Sequence, residues 1–120
     1  MTKEQAYHAF LASFGWATYD ENTVPDNAPF PRETYEFAAD EFGYPVALTV
    51  SFWDRSTSWA SVTNKANEVS DTIGRGGKMI PFDGGAIWIT RGTPFAQRLA
   101  DEDDSIRRIM ININAEFLTA

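Results

Sequence analysis

Residues 108–117 alternate between apolar and mostly polar side chains, a pattern that a helix cannot bury on one side. Every second residue from Ile109 to Phe117 is apolar. Successive side chains of a strand point to opposite faces, so the pattern predicts a long strand with one apolar face. That face must be covered by a second layer, which the rest of the chain has to supply.

Two segments have the three-and-four spacing of the amphipathic helices that would form this layer. The first opens with a capping-box pattern at Thr2, and its apolar stripe from Tyr7 to Phe14 ends at Gly15. The second has apolar residues from Trp59 to Ile73 at spacings of 3, 4, 3 and 4 and stops before Gly74. Both segments are predicted as helices with one buried face.

Further segments are predicted as strands. A strand begins at Thr34, where alternation continues to Ala39, and a second alternation runs from Val46 to Trp53. Together they predict an antiparallel hairpin. Residues 78–82 and 86–90 flank the turn Asp83-Gly84-Gly85, which predicts another strand pair.

Residues 16–32 contain three prolines, which exclude helix and disfavour a central strand, so an extended connection is predicted there. The elements in order predict an α+β fold. It is a two-layer sandwich, in which a mostly antiparallel sheet of about four to five strands carries two helices on one face. A chain of 120 residues can bury one core, so residues 1–120 are predicted to form a single domain.

Charge is unevenly distributed along the chain. Ten basic and 17 acidic side chains give a net charge of −7, and residues 1–54 hold nine acidic and two basic residues, which account for all of it. A chain without a basic stripe lacks the attraction that dominates binding to phosphate backbones, so no specific nucleic-acid partner is predicted. No apolar run approaches the roughly 20 residues that span a bilayer, so no membrane partner is predicted either.

Few residues offer catalytic or ligand-binding chemistry. The chain has one histidine, His8, and no cysteine. The GRGGK stretch at residues 74–78 lacks the pattern of a phosphate loop, because Thr72 stands where a Gly is required and Met79 where a Ser or Thr is required. We therefore predict no catalytic residue, no metal site and no cofactor.

The acidic run of residues 101–104 is the densest charge cluster. It lacks the alternating ligands and distal glutamate of an EF-hand. A solvated loop is the favoured interpretation, and a local ion pair or a contact with a partner's basic surface are the alternatives.

Two tryptophans fall on the otherwise polar face of the predicted sheet, opposite the helices. The segment 93–104, predicted as a loop, adds a large apolar side chain beside the acidic run. Exposed aromatic side chains favour protein contacts, although Phe95 serves equally well as a local anchor of its loop. The candidate interface residues are Trp53, Trp88, Phe95, Asp101, Asp103 and Asp104.

A small ligand-binding or enzymatic domain is the rival interpretation, with Glu36, Asp40 and the run 101–104 around a cleft. A convergent pocket containing carboxyl groups of shifted pKa would favour that rival. A flat apolar patch on the sheet would favour assembly instead.

The order of segments from Val24 to the C-terminus resembles a known family. The stretches APFPRETYEF, RSTSW and IPFDGGAIWI, followed by the long closing strand, are similar to the tail terminator, or head–tail joining, proteins. These proteins are encoded in the structural gene clusters of tailed phages and prophages of Gram-positive bacteria.

The resemblance implies a virion structural protein without enzymatic activity. It implies a homo-oligomeric ring, commonly of six subunits, that caps the tail tube and joins it to the head. The expected partners are copies of the chain itself and other tail and neck proteins, and the expected location is the host cytoplasm during assembly and then the virion. A tail-tube or other neck subunit is the alternative within this class. The family has no strict motif, so no functional residue is carried over.

Overall fold

A computed structural model describes residues 1–39 and 44–119 of the chain. Two helices and six strands follow one another along it. They are α1 (Lys3–Ala12), β1 (Ala17–Asp20), β2 (Arg32–Tyr35), β3 (Val46–Arg55), α2 (Ala60–Ile73), β4 (Lys78–Phe82), β5 (Gly85–Leu99) and β6 (Ile106–Thr119).

Both predicted helices are confirmed. The Thr2 side chain accepts a hydrogen bond from the backbone N–H of Gln5, and the Gln5 side chain accepts one from the backbone N–H of Thr2, so a complete capping box starts α1. Helix α2 ends at Gly74, whose φ of 71° is a conformation that glycine adopts at low cost. Each helix buries its apolar stripe against the sheet.

The six strands form one sheet in the order β1-β2-β3-β6-β5-β4. Strands β1 and β2 are parallel, and every other neighbouring pair is antiparallel. The predicted α+β class and mostly antiparallel sheet are confirmed. The sheet has six strands, and it curls into half a barrel instead of lying flat as one layer of a simple sandwich, so the predicted strand number and the two-layer description were wrong.

Strand β1 is the strand that the sequence does not predict. It lies within the proline-bearing connection, residues 16–32, which is predicted to be extended. Its four residues pair in parallel with β2, from Ala17 opposite Arg32 to Asp20 opposite Tyr35. Strand β2 also ends at Tyr35, earlier than the alternation to Ala39 predicts. The existence of β1 and the end of β2 both depend on which other segment each strand pairs with, and the alternation of residues within a strand does not reveal its partner.

Strand β5 is much longer than the predicted strand of residues 86–90 and takes in much of the predicted loop 93–104. An irregularity between Arg91 and Ala96 shifts its register on β6 and accommodates Pro94. The side chain of Asn112 donates a hydrogen bond of 2.8 Å to the Pro94 carbonyl, which satisfies a backbone group inside the irregularity. Proline cannot donate a backbone hydrogen bond, so within a sheet it is found at edges or bulges, and Pro94 lies in such an irregular stretch of β5.

The core lies between the helices and the concave face of the sheet. It contains Val50, Phe52, Ile111 and Ile113, as the matching alternations predict. The polar residues and tryptophans predicted on the other face alternate with these buried residues along β3, β5 and β6. Across the described ranges, no helix is both long and apolar enough to cross a bilayer.

Candidate subunit interface

A stack of guanidinium groups and aromatic rings covers one end of the outer sheet face. The Arg32 Cζ atom lies 4.4 Å from the centre of the Phe30 ring, and the Arg108 Cζ atom lies 4.4 Å from that of Trp53. The Arg55 Cζ atom lies 5.0 Å from the centre of the same Phe30 ring. Cations over aromatic faces attract the ring quadrupole, so the five side chains hold one another in place.

Hydrogen bonds orient this stack on the strands. The Trp53 indole N–H donates to the Thr34 hydroxyl at 3.0 Å, and two nitrogens of Arg108 donate to the Ser51 hydroxyl at 3.0 and 3.1 Å. Burial lowers the pKa of the Arg108 guanidinium, and the charges of Glu21 and Asp101 oppose that shift. Trp53 is thus half-buried by its own chain, and its neighbours there include the Thr34 hydroxyl and the Arg108 guanidinium.

Trp88, the second candidate tryptophan, lies far from this stack. Trp53 pairs with Arg108 of β6 and Trp88 pairs with Glu116, which places them eight residues apart along that strand. At about 3.3 Å per residue, the separation is about 26 Å. The structure therefore does not bring the two tryptophans into one patch.

The acidic run forms the turn between β5 and β6. The Asp103 carboxylate accepts hydrogen bonds from the backbone and side chain of Ser105 and pairs with Arg55 at 3.4 Å. These hydrogen bonds from Ser105 are the main reason that the pKa of Asp103 is lowered. The Asp104 carbonyl accepts from Arg107 at 2.6 Å, while Asp101 is half-buried. A local ion pair therefore exists, but its cation is Arg55 rather than a neighbouring residue of the run.

Phe95 is half-buried and packs against the core from the irregular part of β5. Its role as a local anchor is therefore visible in the single chain, and its contact with a neighbouring subunit stays a prediction. We expect Phe95→Ser to remain folded and to lower the assembled mass measured by light scattering. Met79→Ser, which removes an exposed apolar side chain from β4, is the matched control. Normal assembly of the Phe95→Ser variant would remove this residue from the interface.

Glu33 is a buried carboxyl group that the sequence analysis did not single out. It is fully buried on the core side of β2, opposite Phe52. One oxygen accepts a hydrogen bond of 2.6 Å from the Thr18 hydroxyl, and the other has no partner among the described residues. Burial raises its pKa to about 7, against the smaller opposing effects of Thr18 and Lys65.

A signal for Glu33 was present in the sequence. It lies two residues before Tyr35, in the same strand, so strict alternation places both side chains on the buried face. The Arg–aromatic stack had no comparable signal, because its members come from three separate strands and the connection before β2.

A cavity of about 590 Å³ lies between the start of α1 and the end of β4. Lys3, Glu4, Phe37, Phe82 and Asp83 are among its lining residues. The buried carboxyl described above does not line it. Within residues 1–39 and 44–119, no three potential metal ligands converge.

The carboxylates of the rival interpretation are scattered. Glu36 follows β2 and accepts a hydrogen bond from the backbone of Thr49 at 3.2 Å, while the acidic turn joins β5 to β6. Asp40 lies outside the described residues. The described carboxylates named for that interpretation therefore do not line the cavity at the start of α1.

Comparison with solved structures identifies proteins of the same fold. A chain from the virion of a native gene transfer agent particle is 22% identical, with a TM-score of 0.55, over 95% of this chain and 90% of that chain. A second solved structure is 12% identical, with a TM-score of 0.61, over 98% of this chain and 91% of that one. No protein-family model and no curated protein matches the sequence. At these identities, the likeness establishes the fold.

Proposed function

We propose that this chain is a structural protein of a tailed phage or prophage particle, of the kind carried by Gram-positive bacteria. Within that particle it acts as the tail terminator, or head–tail joining, subunit. Copies of the chain form a ring, commonly of six, which caps the tail tube and contacts other tail and neck proteins. The protein assembles in the host cytoplasm and functions in the virion, without enzymatic activity.

The observation that carries this proposal is the fold shared with a gene transfer agent virion chain along 95% of the present chain. The sequence resemblance from Val24 to the C-terminus supports the same class of particle. The two likenesses have different sources, since one compares backbone geometry and the other compares the order of sequence segments.

The arrangement of polar groups supports an assembly role over catalysis. The carboxyl group with the raised pKa, Glu33, is enclosed in the core away from the cavity. Guanidinium groups and aromatic rings instead cover part of the outer sheet face, and side chains of this kind are enriched in protein interfaces.

We expect the purified chain to form discrete rings, because a particle joint is built from repeated copies of one surface. Light scattering across a concentration range should give a mass several times the monomer's 13.4 kDa, and electron microscopy should show closed rings. Long tubes would instead identify a tail-tube subunit. A monomer at every concentration would contradict self-assembly.

A further inference from the structure

Four residues from each of five strands form a continuous row across the sheet. Residues 17–20, 32–35, 50–53, 108–111 and 96–99 pair one with the next in register. Strand β4 covers β5 only along residues 85–89, at the other end of that strand. Among the described residues, no strand lies beyond β1 or beyond residues 96–99. The row therefore has two open ends of equal length.

The directions of the strands make these two ends compatible. Strands β1, β2 and β6 run one way along the row, while β3 and β5 run the other way. If a second copy continues the row, its β1 lies antiparallel to β5 of the first copy. Antiparallel pairing is slightly more stable per residue than parallel pairing, and open edges are ready templates for it.

Charge at the two ends is complementary. Residues 17–26 contain Asp20, Glu21 and Asp26 and no basic side chain. Residues 90–99 contain Arg91 and Arg98 and no acidic side chain. In the described part of the chain, neither arginine has an ion-pair partner, so their charges are available to another molecule.

We infer that β1 of one copy pairs with residues 96–99 of the next, so that the sheet continues from subunit to subunit in a head-to-tail ring. This inference rests on the proposed ring assembly and names its contact surface. Two different surfaces of the chain meet in such an interface, which closes into a ring when the rotation between copies divides a full turn. Complementary charge favours this order over contact between like edges.

Continuing the observed register identifies a specific ion pair. Following the paired residues across the five strands, Arg98 is aligned with Thr18, and Ala96 is aligned with Asp20. When the row continues into a second copy, Thr18 of that copy lies opposite Arg98 of the first copy. Asp20 of the second copy is two residues further along β1, so it is a diagonal neighbour of Arg98 on the same face of the sheet. Diagonal neighbours are about 7–8 Å apart, within reach of an arginine side chain. Arg98 is exposed, and its Cζ atom stacks 4.7 Å from the Trp59 ring centre, which positions it near this edge.

Charge reversal at either end tests the inference. Asp20→Arg and Arg98→Asp are each expected to shift the protein from ring to monomer in light scattering, because each places like charges at the contact. An equimolar mixture of the two variants is expected to recover the ring mass. In a ring of even subunit number in which the two variants alternate, every interface is either the original pair or its exact reversal. A protein that had merely misfolded would not be rescued by its partner variant.

Asp71→Arg and Arg75→Asp make the same charge changes at exposed positions outside the two paired segments, residues 17–20 and 96–99, and should assemble as the unmodified chain does. Rings that persist in both single variants would overturn the edge pairing and leave the proposed ring assembly standing. Loss of rings in the single variants without recovery in the mixture would overturn the Asp20–Arg98 contact. A monomeric unmodified chain would instead overturn the ring assembly itself.

Discussion

Replacing Ile113 by Ala should destabilise the protein by about 2–5 kcal/mol, one of the two largest effects that we expect of a single substitution. Ile113 is fully buried in the middle of β6 and pairs with Leu48 of β3 on the concave face. The substitution removes apolar surface from the core and leaves a cavity that neighbouring strands cannot close without moving. Chemical denaturation followed by tryptophan fluorescence measures the change.

Ile106→Ala is the matched control, since it makes the same chemical change at the half-buried start of β6. It should cost clearly less than the substitution at Ile113. Equal effects at the two positions, or no measurable effect at Ile113, would contradict the assigned register of β6.

Replacing Glu33 by Gln should produce a stabilisation that grows with pH. Burial raises the pKa of Glu33 from 4.5 to about 7, so the folded chain keeps a proton that the unfolded chain loses in this interval. The group thus makes the wild-type protein progressively less stable as pH rises from 4.5 to 7. From pH 4 to pH 8, the free energy of unfolding of Glu33→Gln relative to wild type should rise by about 3 kcal/mol.

Glu102→Gln provides the control, because it makes the same carboxyl-to-amide change on an exposed side chain whose charge is not among those that shift the pKa of Glu33. Surface substitutions of this kind usually change stability by up to about 0.5 kcal/mol. Denaturation midpoints at pH 4, 6 and 8 compare both variants with wild type. If the free energies of unfolding of Glu33→Gln and wild type differ by the same amount at all three pH values, Glu33 does not titrate between pH 4 and pH 8.

Elements with a clear sequence pattern of their own were predictable from the sequence. Helix α2 has a stripe of apolar residues followed by Gly74, and β6 has strict alternation, so no distant contact is needed to recognise either. Strand β1 has only four residues and owes its existence to the parallel pairing with β2. The extension of β5 likewise depends on its pairing with β6 and on the Asn112 side chain, which satisfies the Pro94 carbonyl.

The candidate interface was predicted less completely than the fold. Aromatic residues were recognisable as candidates, but the sequence could not show that Trp53 and Trp88 lie at opposite ends of the sheet. The ion pair between Arg55 and Asp103 joins residues 48 positions apart, so it depends on the pairing of β3 with β6. Side-chain clusters assembled from several strands become visible only when the register is known.

The position of β6 in the sheet also governs how the chain can fold during its synthesis. Strands β1 to β3 lie on one side of β6 and strands β5 and β4 lie on the other, yet β6 follows all of them in sequence. The nascent chain therefore has two partial sheets that cannot join until residues 106–119 leave the ribosome. Pairing between β3 and β6 then closes a loop of about 50 residues or more, a slow step that exposes strand edges meanwhile. The chain can consequently complete its sheet only after β6 has been translated.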